Sequence, residues 1–436
     1  MTPIRVGLLG IGTVGSGTFR VLARNQEEIT RRAGRGIRID VVADRDTARA
    51  RAVAGDAARI TDDAFSVVRD PAIDIVVELI GGYTTARQLV MEAISHGKHV
   101  VTANKALLAL HGNEIFQHAR EKGVMVAFEA AVAGGIPIIK ALREGLTANR
   151  IQWIAGIING TSNFILSEMR DKGLPFDAVL ADAQRLGYAE ADPTFDVEGI
   201  DAAHKLTIMS AIAFGVPMQF ERAYTEGIAG LTREDIRYAE ELGYRIKLLG
   251  ITRRTDQGIE LRVHPTLIPA RRLIANVEGV MNAVLVKGDA VGATLYYGAG
   301  AGAEPTASAV VADLVDVTRM HTADPENRVP HLAFQPDQLA DTPILPMEAV
   351  RTGYYLRLRA LDRPGVLADI TRILADHAIS IDAMVQKEPA EGANQAEIIL
   401  LTHLTLERDV NAAIARIEGL PSVVGQVVRI RQEDLS

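Results

Sequence analysis

The chain has 436 residues, no cysteine, and 47 lysines and arginines against 55 aspartates and glutamates, a formal net charge of −8. A cysteine-free protein has no disulfide, no thiolate zinc site and no cysteine nucleophile, so aldehyde oxidation through an enzyme-bound thioester is excluded. The mild acidity argues against a phosphate-backbone binder, and at about 150 residues per domain the length suggests roughly three domains.

Apolar residues make up 48% and charged residues 23%, ordinary for a soluble globular protein. The longest uncharged apolar stretch, Leu206 to Phe220, is shorter than the roughly 20 residues a bilayer span needs, and it contains Pro217. The apolar start, Ile4 to Ile11, runs directly into a glycine motif and does not read as a signal peptide. A cytoplasmic location without membrane or nucleic-acid partners is the expectation.

From Arg5 to Leu9 a compact apolar run predicts a strand, and Gly10-Ile11-Gly12-Thr13-Val14-Gly15 predicts a tight turn opening a helix. Further strands are predicted over Ile37 to Ala43, Ile73 to Ile80 and His99 to Thr102, ending at Asp44-Arg45-Asp46, Gly81-Gly82 and Asn104-Lys105. Strands alternating with helices imply a doubly wound parallel sheet over residues 1–130. A second, α+β domain is expected over 131–302, with strands over Ile151 to Ile158, Ile259 to Val263 and Gly279 to Val286. Its helices are expected over Asp201 to Phe214 and Glu234 to Leu249. Gly298 to Gly302 leads into a helical pattern, and about 303–325 is expected to complete the first domain.

Pro325, Pro330, Pro336, Pro343 and Pro346 give Asp324 to Thr352 the composition of an extended linker, expected over 326–352. The last unit, 353–432, alternates at Leu356, Leu358 and Ala360 and then turns helical at Val366, Ile370, Ile373 and Leu374. Its remaining patterns complete a strand, helix, strand, strand, helix, strand order.

The glycine motif follows a strand and opens a helix, the context a dinucleotide site needs. Gly10 permits the turn, Gly12 admits a pyrophosphate, Gly15 allows close packing, and the helix N-terminus offers amides to phosphate. At the end of the second strand, Asp44 could accept from a ribose 2′-hydroxyl and favour NAD. Arg45 could pair with a 2′-phosphate and favour NADP, or the turn could simply be solvated. Gly187 to Lys205 concentrates carboxylates around one lysine. Asp201 and Lys205 lie four apart on one helix face, either as a surface ion pair or, since the face continues into Ile208 and Met209, as an inward pair suited to proton transfer. His96 and His99 span a helix end and a strand start and imply no metal site, and His204 reads as structural.

Six stretches, Gly10 to Gly15, Glu78 to Gly82, Val101 to Lys105, Gly156 to Phe164, Gly187 to Lys205 and Gly298 to Leu314, together resemble homoserine dehydrogenases over about residues 4 to 325. Residues 354 to 431 resemble an ACT domain, a small-molecule regulatory module. The resemblance implies a Rossmann-type cofactor domain, an α+β catalytic and dimerisation domain, and a βαββαβ ACT domain. It also implies reversible hydride transfer between L-homoserine and L-aspartate 4-semialdehyde, the branch step toward threonine and methionine.

On the same resemblance Lys205, Lys105 and Asp201 are catalytic, with Lys205 exchanging the proton and Lys105 polarising the carbonyl beside the nicotinamide. Glu190, Asp201 and Tyr188 line the substrate side. Gly10, Ile11, Gly12, Thr13, Val14, Gly15, Arg45, Lys105, Gly187 and Gly302 contact the cofactor, NADP by preference with NAD accepted. Glu129, Val132, Gly134 and Ile136 match a site for a monovalent cation, sodium or potassium. Threonine is the expected effector, bound at Asp362 to Leu367, and the expected assembly is a homodimer or homotetramer. The competing reading is an amino-acid-responsive regulatory protein with a vestigial nucleotide fold; retention of Lys105, Glu190, Asp201 and Lys205 weighs against it.

Overall fold

The opening apolar run becomes β1 (Ile4–Leu9), the centre of a six-stranded sheet with β2 (Ile37–Ala43), β3 (Arg59–Thr61), β4 (Ile75–Glu78), β5 (His99–Thr102) and β6 (Val126–Ala127). The computed structural model describes residues 2–387 and 394–436. All six strands are parallel, in the order β3-β2-β1-β4-β5-β6, so the strand order reverses between β1 and β4 and opens a crevice at their carboxyl ends. Strands β3 and β6 have only three and two residues, too short for a sequence pattern. The helix Ala303–Met320 returns to this sheet: Ala307, Val310 and Leu314 share a core with Ile4, Val6 and Leu8.

The middle of the chain builds β7 (Ile151–Ile157), β8 (Tyr224–Thr225), β9 (Tyr244–Arg254), β10 (Ile259–Pro269), β11 (Met281–Gly288) and β12 (Gly292–Ala299). The helix predicted over Glu234 to Leu249 is two elements. A helix covers only Arg233–Glu241, Gly243 takes φ +82°, and Tyr244 to Leu249 belong to β9. The buried Lys247 disguises the strand, because an isolated charge in an apolar run reads as the polar face of a helix. Strand β12, which the sequence reading does not single out, forms one edge of the sheet. Across β7 and β9 lies the helix Ile200–Phe214, with residues 201–214 all buried.

The C-terminal unit contains β13 (Arg351–Leu361), β14 (Ile381–Gln386), β15 (Gln395–Thr402), β16 (Thr405–Leu406) and β17 (Val423–Gln432), with helices Val366–Asp376 and Glu407–Glu418 packed on its sheet. It is not a separate body. Strand β17 pairs in parallel with β10 through Thr266 with Arg431 and Leu267 with Gln432, so the two sheets merge into one of eleven strands among the described residues. Residues 326–352 are not a free extended segment but are pinned to both preceding domains. Ala340 N donates to Gly215 O at 2.7 Å, Leu345 N to Ile259 O at 2.8 Å, and the His331 ring stacks on Phe116 with centroids 4.9 Å apart. Among the described residues no helix is long and apolar enough to cross a membrane.

Candidate active site

The cleft is built from two helix starts facing each other. Asn104 caps the helix Lys105–Glu121 by accepting from Leu107 N at 3.0 Å, which fixes Lys105 at the first helical position beside the carboxyl end of β5. From the other domain, the helix Ile200–Phe214 presents Asp201 and, one turn later, Lys205. Lys205 Nζ donates to Asp201 Oδ2 at 2.6 Å and to Ile158 O at 2.7 Å, while Lys105 Nζ lies 3.0 Å from Asp201 Oδ1. The inward reading of the Asp201 and Lys205 pair therefore holds: their side chains are 9% and 11% exposed, and Lys105 is 40% exposed toward the opening.

Electrostatics follow from that packing. Burial alone would raise the Asp201 carboxyl, but Lys205 and Lys105 hold it well below the ordinary carboxylate range. Burial pushes the Lys205 ammonium down, Asp201 pulls it back, and Lys105 pushes it down again. Lys105 is raised by Asp201, against its own burial.

Two residues not assigned by the sequence reading complete the cluster. Asn159 Nδ2 donates to Asp201 Oδ2 at 3.0 Å and to Asp196 Oδ1 at 2.7 Å, and its Oδ1 caps the helix Gly160–Lys172 by accepting from Ser162 N at 2.8 Å. The Asn159-to-Ser162 spacing is a legible capping signal, but nothing local says that the amide also bridges two carboxylates. Tyr188 lies in the same loop region: its carbonyl accepts from Thr161 Oγ1 at 2.7 Å and its ring packs edge-on against Phe164. Glu190 is exposed, its carbonyl accepting from Gln184 Nε2 at 3.1 Å. Gly187 takes φ +77° where the helix Phe176–Arg185 ends. His204 sits between Phe195 and Phe220, and the exposed His96 and buried His99 do not converge.

The glycine loop is shaped for an anion. A Cβ on Gly10 would lie 2.6 Å from Leu79 O and one on Gly15 would lie 2.1 Å from Gly10 O, whereas nothing stands within 4 Å of a Cβ on Gly12. The helix Thr13–Arg24 has no side-chain cap and no acidic residue in its first turn, so its first amides face open space. Asp44 is occupied by this loop: Oδ2 accepts from Ile11 N at 2.7 Å and Oδ1 from Asp46 N at 2.8 Å, while Arg45 next to it is exposed. Gly302 caps the helix Ala303–Met320, whose first residue nearly touches Gly17: a Cβ there would lie 2.3 Å from Ala303 O. These residues fit a dinucleotide.

Glu129, Val132, Gly134 and Ile136 lie in one tight buried loop. The Glu129 carboxylate accepts from Ile139 N at 2.9 Å and Lys140 N at 2.8 Å, and Glu129 N donates to Asp313 Oδ2 at 2.8 Å. The Ile136 carbonyl accepts from Ile138 N at 2.7 Å, but among the described residues those of Val132 and Gly134 accept no hydrogen bond, although both residues are buried. Oxygens left over in this way fit a hard cation.

Comparison with known proteins adds the rest. A family model described as homoserine dehydrogenase matches residues 137–315, one described as homoserine dehydrogenase, NAD binding domain, matches 10–129, and an ACT domain model matches 354–422. The homoserine dehydrogenase of Pseudomonas aeruginosa is 66% identical, with 100% of each chain covered. The chain belongs to the homoserine dehydrogenase family. The crystal structure of a homoserine dehydrogenase from Thiobacillus denitrificans is 78% identical, with a TM-score of 0.96 over 100% of this chain and 99% of that one. A hyperthermophilic archaeal homoserine dehydrogenase in complex with NADPH is 25% identical, with a TM-score of 0.63 over 73% of this chain and 98% of that one. The activity is thus that of an oxidoreductase interconverting L-homoserine and L-aspartate 4-semialdehyde with a nicotinamide cofactor. The ACT unit fits regulatory feedback, and the vestigial-fold alternative is not favoured.

Proposed function

We propose that Lys205 exchanges the proton of the reaction, that Lys105 orients the substrate carbonyl, and that Asp201 holds the two ammonium groups in register. The observation that carries this reading is a single buried carboxylate shared by two lysines from opposite sides of the cleft. A bound nicotinamide supplies or accepts the hydride at the substrate's carbonyl carbon. Lys205 then gives its proton to the oxygen when the aldehyde is reduced and takes one when the alcohol is oxidised. Burial favours the neutral amine and Asp201 favours the ammonium, so neither form is locked. Glu190, Tyr188 and Asp201 form the substrate side, with Glu190 supplying the anion for the amino acid's ammonium group.

On the cofactor side, Gly10, Ile11, Gly12, Thr13, Val14 and Gly15 receive the pyrophosphate, and Gly187 and Gly302 close over the cofactor from the other wall. NADP is preferred and NAD accepted: Asp44 is spent on the glycine loop and Arg45 is exposed beside it. The NADPH complex of the archaeal relative points the same way. Sodium or potassium at Glu129, Val132, Gly134 and Ile136 orders the hinge between domains instead of acting as a Lewis acid. L-threonine is the effector at Asp362 to Leu367, and the enzyme works in the cytoplasm as a homodimer or homotetramer.

The test is homoserine-dependent reduction of NADP and NAD by the purified protein beside Lys205→Ala. The wild type turns over and the variant loses at least about 100-fold in kcat, the usual scale of a general acid or base. A variant that keeps wild-type kcat removes Lys205 from this role.

A further inference from the structure

Strand β17 meets β10 for only two residue pairs, and charge holds the joint. Arg431, fully buried on β17, donates to Glu407 Oε1 at 2.5 Å and Oε2 at 2.9 Å within its own unit, and across the joint to Glu226 Oε2 at 2.8 Å. Two residues earlier on the same strand face, Arg429 pairs with Glu407 Oε1 at 2.8 Å and reaches the same Glu226 oxygen at 3.4 Å, and Tyr224 Oη donates to that oxygen at 2.7 Å. A single catalytic-domain carboxylate therefore takes both arginines of the ACT strand.

Immediately behind that carboxylate, the backbone presses on the loop before the helix that carries Asp201 and Lys205. Ile228 N donates to Val197 O at 2.9 Å. At Gly227 there is no free space: an added Cβ would stand 2.5 Å from Glu198 Oε2 and 2.6 Å from Val197 O. Val197 follows Asp196, which shares the Asn159 amide with Asp201. One residue layer thus separates the ACT arginines from the substrate loop, whereas the glycine loop lies on another sheet.

We propose that Glu226 is a positioning residue through which the ACT unit sets the conformation of the loop 190–199, so that movement of β17 is read as a change in homoserine affinity and not in cofactor affinity. The proposal rests on assigning Glu190 and Asp201 to the substrate site, and the Lys205→Ala measurement succeeds or fails independently of it.

The experiment uses full-length Glu226→Gln and Glu226→Asp. In Glu226→Gln, Arg431 keeps Glu407, so no buried charge is stranded. The expected result for Glu226→Gln is a homoserine KM raised about tenfold, with kcat within about twofold and the NADP KM unchanged, and recovery in Glu226→Asp. A folded Glu226→Gln with wild-type homoserine KM overturns the proposal, as does a parallel loss in kcat and both KM values. Should Glu226→Gln not fold, Arg429→Gln, which loosens the same oxygen from the ACT side and leaves Glu407 paired with Arg431, is read by the same criteria. With millimolar L-threonine, inhibition of the wild type that is lost in Glu226→Gln supports the relay, and undiminished inhibition overturns it. If threonine does not inhibit the wild type, the effector assignment fails and the homoserine KM alone decides.

Discussion

Lys105 Nζ stands 3.0 Å from Asp201 Oδ1, an ion pair joining the first residue of a cofactor-domain helix to the first turn of a catalytic-domain helix. Because Asp201 also binds Lys205, each of its neighbours acts on Lys205 with a known sign: Asp201 raises it and Lys105 lowers it.

That opposition gives a pH experiment. Homoserine oxidation needs neutral Lys205, so kcat rises with pH through its pKa. Asp201→Asn removes the group that favours the ammonium and moves the rising limb to lower pH. Lys105→Met removes a repelling charge and moves it to higher pH. Profiles of kcat against pH that shift in the same direction in both variants contradict the arrangement.

The glycine that caps the helix Thr13–Arg24 and one inside it should respond differently to alanine. Gly17→Ala drives a Cβ to 2.3 Å from the Ala303 carbonyl and should destabilise by about 2 kcal/mol, the scale of an overpacked contact. Gly12 has φ −63° and open space, so Gly12→Ala should change stability by less than about 0.5 kcal/mol. Its added methyl enters the pyrophosphate space and should raise the NADP KM about tenfold. Thermal melts and cofactor titrations on both variants separate these outcomes.

Cofactor choice should depend on Arg45. Arg45→Ala is expected to lower kcat/KM for NADP about tenfold, the loss of one charge-assisted contact, with little change for NAD. A wild-type preference of at least about tenfold for NAD would end this assignment of Arg45.

Acid sensitivity should come partly from His99. Burial, with help from His321 and Arg328, pushes it down to about 3, and its Nδ1 accepts from Met125 N at 2.9 Å. The unfolded chain takes up this proton near the ordinary pKa of about 6.5 and the folded chain does not. Stability is therefore fully present above that pH and falls by about 1.4 kcal/mol per unit as pH drops toward the folded value. His99→Phe should show a lower starting stability and a shallower acid slope in denaturant titrations from pH 7 to 5; an unchanged slope would exclude His99 as a source.

The parallel sheet, the glycine loop, and the four-residue spacing of Asp201 and Lys205, though not the burial of that pair, were legible in the sequence because each is local. A strand pattern, a turn composition and a four-residue helical spacing are set by neighbouring residues. The βαββαβ order of the last unit was legible for the same reason. Strand β9 was not, since its buried Lys247 is stabilised by Val277 O at 2.6 Å and by Glu278, partners remote in the chain. Only the tertiary structure brings Lys105 onto Asp201, sets Asn159 between two carboxylates, and fuses β17 to β10 with Glu226 at the joint. Those contacts pair groups from distant parts of the chain, and burial makes each charged group demand a partner that no local pattern can name.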